Sequence, residues 1–371
     1  MIACDLEGTP PPGMTMNSAR FGTAAWAVGC LLAFAGCGEA ATGDAPAAVV
    51  AAAPTGTPNA APATVAEAAQ ILDLRKLPLV PGSEETGART VARLTYHAKA
   101  SPRDAYIFHR QQLLAQQWTP TAGEYIGDDS ASGTFIRDGY ALSTSTSSGG
   151  RGDDVKTTVV IANHGNLTLS ALPQPANSTL LYDFPVTLAY ATSTPVDQTA
   201  AEIDAALLAA GWEPYGAAGN SRFYRQMAIR LTATTTAAPA QDGKTVVSYS
   251  TELISAELPA PADAKGLQYS EPPVQLALDF SGDLAAADQW YREQLGKIGW
   301  EPTTDHPVKQ DFTHFVIYRN KSKEMLEVTL REIEDFTRLL LRFTTAEEFE
   351  EMEKRWDAHR KKLQAEAEAD K

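Results

Sequence analysis

Aromatic rings, a guanidinium and a carboxylate stand together at one place in this 371-residue chain: Trp290, Tyr291, Arg292 and Glu293, with Trp300 a short way on. Rings stack on the apolar faces of sugars and peptide side chains, while a charged pair bonds hydroxyls and amides. These five residues are therefore the candidate ligand-binding set. The competing reading is an amphipathic helix whose rings face a core and whose charges face water. Trp118, Trp212 and Trp300 could likewise be stacking platforms, but large aromatics that recur just after a helix are expected to pack.

Other chemistry finds no apparatus in the residues. His109 falls on the inward side of a helix and is expected to be a semi-buried, hydrogen-bonded histidine, not a ligand. The six histidines (97, 109, 164, 306, 314, 359) are scattered, with no H-E-x-x-H pair, so no metal ligand set is assigned. There is no G-x-S-x-G elbow, no phosphate-binding loop and no G-x-G-x-x-G after a strand, so no catalytic residue and no cofactor is assigned. The acid pairs Asp128-Asp129 and Asp153-Asp154 lack the alternating ligands of a calcium loop and read as solubilising loops. Arg151-Gly152-Asp153 matches an adhesion tripeptide by three letters only. A formal net charge of −15 argues against a nucleic-acid partner, which requires a basic stripe.

The three cysteines, Cys4, Cys30 and Cys37, all precede Gly38, which leaves the remainder without thiol chemistry. Between Arg20 and Glu39 there is no charge, and Phe21 to Gly36 is an apolar run of 16 residues, short for a spanning helix and right for a signal peptide. Residues 1–13 hold Asp5, Glu7 and three prolines, which suits translation beginning at Met14 or Met16. The run ends in Phe34-Ala35-Gly36-Cys37, which resembles the lipobox of bacterial lipoproteins. The resemblance implies cleavage after residue 36, palmitate-class acyl chains on Cys37 and attachment to a membrane. With Gly38 rather than Asp next, it implies the outer membrane, facing the periplasm, in preference to the inner. An ordinary secretory signal with an incidental cysteine is the alternative.

The elements that would position these residues follow a repeat. Trp118-Thr119-Pro120, Trp212-Glu213-Pro214 and Trp300-Glu301-Pro302 are 94 and 88 residues apart, and Leu77-Pro78, Leu172-Pro173 and Leu258-Pro259 precede those tryptophans by 41, 40 and 42 residues. Each copy opens on an alternating strand (Val91–Tyr96, Val186–Tyr190, Val274–Phe280), then a capped helix beginning near Ser101-Pro102, Thr194-Pro195 or Ser281-Gly282-Asp283. The helices are expected to bury Ala105, His109 and Leu113; Thr199, Ile203, Leu207 and Ala210; and Leu284, Ala287, Tyr291, Leu295 and Ile298. Three further strands follow each W-x-P turn. Outside the helix starts, no polar position is common to the three copies. Residues 143–154 read as a polar hairpin tip, and residues from 346 as a charged helix with acids early and bases later.

The fold class is thus α+β: three tandem β-α-β-β-β modules, each an antiparallel sheet covered by one helix, plus a C-terminal charged helix. The expected boundaries are a signal peptide at 1–36, an Ala/Pro-rich tether at 37–70, modules at 71–172, 173–258 and 259–345, and the tail at 346–371. The arrangement is weakly similar to the helix-grip modules of some envelope lipoproteins, such as the accessory lipoprotein of the outer-membrane barrel-assembly machine, a likeness of fold that implies no activity. The functional expectation is a membrane-anchored, non-catalytic binding or scaffolding lipoprotein whose partner is an envelope protein or glycan. The alternatives are a hydrolase of glycan or peptide using carboxylates at a module junction, and a structural spacer.

Overall fold

The computed structural model describes residues 61–83, 87–149 and 156–369, the side chains of 363–369 excepted. The signal peptide, Cys37, Arg151-Gly152-Asp153 and Asp154 lie outside the described residues. The fold is α+β, with helices set against three antiparallel sheets. A short helix α1 (Val65–Ile71) comes first, closed by a capping box between Thr64 and Glu67. Residues 64–70, placed at the end of the tether by their composition, therefore belong to the folded part, with Ala68 fully buried.

Sheet one holds β1 (Arg93–Ala98), β2 (Thr119–Pro120), β3 (Tyr125–Ile126), β4 (Ser130–Arg137), β5 (Tyr140–Gly149) and β6 (Lys156–Gly165), with helix α2 (Pro102–Ala115) after β1. Sheet two holds β7 (Thr179–Phe184), β8 (Thr187–Thr192), β9 (Glu213–Ala218), β10 (Ser221–Gln226), β11 (Ile229–Ala238) and β12 (Lys244–Leu253), with α3 (Val196–Ala209) after β8. Sheet three holds β13 (Lys265–Ser270), β14 (Gln275–Phe280), β15 (Glu301–Pro302), β16 (Val308–Gln310), β17 (Thr313–Arg319), β18 (Met325–Ile333) and β19 (Phe336–Thr344), with α4 (Leu284–Lys297) after β14. Helix α5 (Ala346–Ala369) ends the chain's described part.

The sheets are larger than four strands because the W-x-P segments are themselves edge strands and β7 and β13 add a second edge. In each sheet the strand before the helix pairs antiparallel with the last strand: β1 with β6, β8 with β12, β14 with β19. The prolines of the W-x-P segments sit opposite Phe135, Tyr224 and Tyr318, which in turn face the buried Leu142, Leu231 and Leu326. Proline fits there because an edge strand has one side free of ladder bonds.

The helix ends are also alike. Trp118, Trp212 and Trp300 each donate their backbone N–H to the carbonyl of a fully buried leucine five residues back, Leu113, Leu207 or Leu295. The residue between helix and tryptophan takes a left-handed conformation, Gln117 at φ 67°, Gly211 at 84° and Gly299 at 85°. Trp118 and Trp212 are buried, and Trp300 packs edge-on to Phe343 against the third core. Ala210 and Ile298, expected inward, are exposed because they are C-cap residues where the chain leaves the helix axis. Thr194 has the type and position of a cap for α3, but Pro195 takes that place and no side chain caps it. At α4 the cap is Asp283, which accepts from the Ala286 N–H at 2.8 Å.

One polar position common to the sheets does exist. The second residue of each last strand is a buried threonine, and its hydroxyl donates to the carbonyl just before the helix cap: Thr157 to Ala100 at 2.5 Å, Thr245 to Thr194 at 2.6 Å, Thr337 to Gly282 at 2.9 Å. A carbonyl at a strand-to-helix corner has no ladder partner, so a hydroxyl there stabilises the corner.

A non-glycine residue at positive φ is strained, whereas glycine is not. Gln117→Gly is therefore expected to raise stability by about 0.5 to 1 kcal/mol. Gly211→Ala and Gly299→Ala should each lower it by a similar amount, read as shifts of the urea midpoint at constant slope.

Candidate functional site

The five residues singled out around α4 do not converge on one face. Tyr291 is fully buried and donates to the Pro259 carbonyl at 3.2 Å, which places it in the core. Trp290 is partly buried between Phe280 and Tyr291, with its ring centroid 4.7 Å from that of Tyr291. Arg292 is held by Asp288 one turn back at 2.9 Å and donates to the Thr304 carbonyl at 3.0 Å. Glu293 is exposed and accepts from Gln289. The spacing that gathers these residues in the sequence spreads them around a helix, because neighbours one apart point about 100° from each other.

His109 is on the inward side of its helix and is fully buried, deeper than the semi-buried place its position suggests. The Tyr96 hydroxyl lies 2.7 Å from its Nε2 and accepts from the Val80 N–H at 3.2 Å, which leaves the phenol proton for the histidine. Nδ1 finds no partner among the described residues. Burial lowers the imidazole pKa to about 4.

The residues brought together from farthest apart in the chain lie where the three sheets meet. Glu271, just beyond β13, accepts from the Ser255 N–H at 2.7 Å, the Ser255 hydroxyl at 3.0 Å and the Thr90 hydroxyl at 2.9 Å. It also receives the Tyr269 hydroxyl. Ser255 Oγ in turn accepts from the Ala92 N–H at 3.1 Å. Thr90 and Ala92 lead into sheet one, Ser255 follows sheet two, and Glu271 belongs to sheet three, so one carboxylate bonds all three.

Around it, Arg230 of β11 is paired with Glu252 of β12, donates to the Tyr269 carbonyl at 3.3 Å and lies over the Phe223 and Tyr269 rings. Tyr215 of β9 is buried in the third core, donates to the Leu258 carbonyl at 3.1 Å and carries the Arg225 guanidinium over its ring. Gly216 beside it takes φ 119°, and a Cβ there would lie 2.4 Å from the Leu267 carbonyl of β13, so only glycine allows the approach. Burial, then the Glu271 charge, holds the Tyr269 phenol far above its ordinary pKa. Glu257 accepts from the Val65 N–H at 2.9 Å and fastens α1 to the same corner.

No residue of this junction stood out in the sequence. Thr90 and Glu271 are 181 residues apart, and Ala92 and Ser255 are 163 apart, with no periodicity relating them. The one local trace is Tyr269-x-Glu271, two side chains on the same face of a strand end. Elsewhere, Asp283, Glu332, Glu334 and Asp335 line an open depression of acids of one sign. Among the described residues no group of His, Cys, Asp and Glu has the arrangement to hold a metal. Among the described helices none is long and apolar enough to cross a membrane. Comparison with protein-family models, with curated proteins and with solved structures finds no match.

Removing the carboxylate of Glu271 would strand partly buried donors from three segments. Glu271→Ala is expected to lower stability by about 3 kcal/mol and to speed hydrogen exchange at the Ser255 amide, with Glu271→Gln intermediate. His109 gives a pH dependence. Its folded pKa of about 4 lies below the unfolded 6.5, so the unfolded chain binds a proton first and stability falls as pH drops between those values. The loss attributable to His109 should reach about 3 kcal/mol near pH 4, and urea midpoints of His109→Leu should lack that component.

Proposed function

We propose that this chain is an envelope lipoprotein, exported by residues 1–36 and anchored through lipid on Cys37, whose folded part is one β-α-β-β-β module used three times for binding or scaffolding. The module reading draws support from the like strand pairings, the tryptophan bond to a buried leucine and the threonine bond at the helix corner, each of which occurs in all three sheets. The threonine bond is a feature separate from the tryptophan repeat, and it falls at the same corner in each sheet.

The observation that carries the non-catalytic reading is the state of the junction carboxylates. A glycan or peptide hydrolase needs one carboxyl free to give a proton and another free to attack or to activate water. Glu271 is bonded to two hydroxyl-bearing residues, a phenol and an amide of its own fold, Glu252 to Arg230, and Glu257 to a backbone N–H. Such bonds make a rigid junction between sheets. The partner class that fits an anchored, acidic body of this kind is an envelope protein or glycan, and Gly38 after the cysteine favours the outer membrane.

The test is the intact mass of membrane-extracted protein from a bacterial host, beside a Cys37→Ser variant. The expected result is a chain beginning at Cys37 plus acyl groups, with the acyl mass and the membrane fraction both lost in the variant. A mature chain free of lipid would overturn the anchor and the envelope scaffold together.

A further inference from the structure

Helix α5 starts on a capping box in which Thr345 and Glu348 each receive the other's backbone N–H. Phe349, in its first turns, lies 3.5 Å beneath the Arg319 guanidinium. Beyond Met352 the helix leaves the body: every residue from Glu353 to Lys362 is exposed, Trp356 at 55%. Phe349, Met352, Trp356 and His359 follow at steps of three, four and three, and a further step of four reaches Leu363 in the sequence. That is the 3.5-residue period of a coiled-coil seam, narrower than the stripe of a helix that covers a core.

Charge is divided along the same helix. Residues 347–353 carry five carboxylates and no base, while 354–362 carry five bases against Asp357 alone. Beside a parallel copy, Glu348 would flank Glu353 and Arg355 would flank Arg360, like against like. An antiparallel copy centred on Lys354 sets Met352 against Trp356 and Phe349 against His359, and lays acidic turns along basic ones. We propose that α5 is a self-association element through which two copies of this chain pair, antiparallel and two-fold symmetric, with Trp356 in the seam.

Sedimentation velocity of the full chain in detergent micelles over a wide concentration range tests this. A monomer–dimer equilibrium weakened by salt is expected, with Trp356→Glu weakening it at least about tenfold while the urea midpoint stays unchanged. Two further variants, E350K/E351K/E353K and R355E/R360E/K361E, reverse three of the five carboxylates or three of the five bases. Each alone should stay monomeric, and their mixture should regain the dimer. A chain monomeric throughout, or a dimer that Trp356→Glu leaves intact or that salt strengthens, overturns the proposal. Flotation of a monomeric chain with phosphatidylglycerol vesicles, abolished by Trp356→Glu, would give the stripe to a bilayer and overturn it as well.

Discussion

A carboxylate drawn partly out of water must be met by donors, and at Glu271 the donors come from segments that are otherwise unrelated. Its two oxygens meet Thr90, ahead of the first sheet, Ser255, on the way out of the second, and Tyr269, from the third. Any slip of one sheet past another would leave at least one of these partly buried groups without a partner. The apolar surfaces alone would not impose that: one continuous cluster runs through sheets one and two, and another fills sheet three, bridged by Tyr215 of β9, Phe223 of β10 and Tyr269, which packs against both. Hydrophobic contact is non-directional, so the relative placement of the sheets depends on the polar junction.

Local order was legible in the residues because it is written at short range. Alternation of two marked the strands, steps of three and four marked the helices, and Ser101-Pro102 marked the start of α2, where Ser101 accepts from the Asp104 N–H at 3.1 Å. The repeated tryptophan marked helix ends that are alike in bond and backbone conformation. The errors were at the margins. Thr194 has the residue type of a cap, but its hydroxyl accepts from Thr192 instead of from the helix, while its carbonyl accepts from Thr199 and Thr245. Ala210 and Ile298 continued a periodicity past the point where the helix stops. The hairpin assigned to 143–154 is strand as far as Gly149, because its serines and threonines alternate inward against β6.

The threonines at 157, 245 and 337 show why a shared feature can escape a reading by identity and spacing. They stand 57, 51 and 55 residues beyond the carbonyls they meet, since hairpins of different length intervene, and threonine is common in strands for other reasons. Only the pairing of last strand with first brings each one to its corner. The aromatic and charged residues of α4 erred the other way: adjacency in sequence suggested a cluster, and helical geometry scattered it between core, ion pair and solvent.

Polar groups common to the three sheets and polar groups peculiar to one occupy different places. The common ones, the threonine at the corner and the tryptophan amide at the helix end, lie inside a sheet and its helix, where they hold a strand to a helix. The peculiar ones, Glu271, Ser255, Arg230 and Tyr215, gather where sheets abut, with Gly216 allowing the close approach. If one module was used three times, its copies would have to keep the first set to fold and change the second set to fit unlike neighbours. A β9 edge carrying Tyr-Gly meets β13, whereas the W-x-P edges of sheets one and three carry threonine after the proline. Divergence concentrated at contacts between units is what assembly into a single body requires, and the helix faces that remain outside those contacts carry the pairs and charges of a solvated surface.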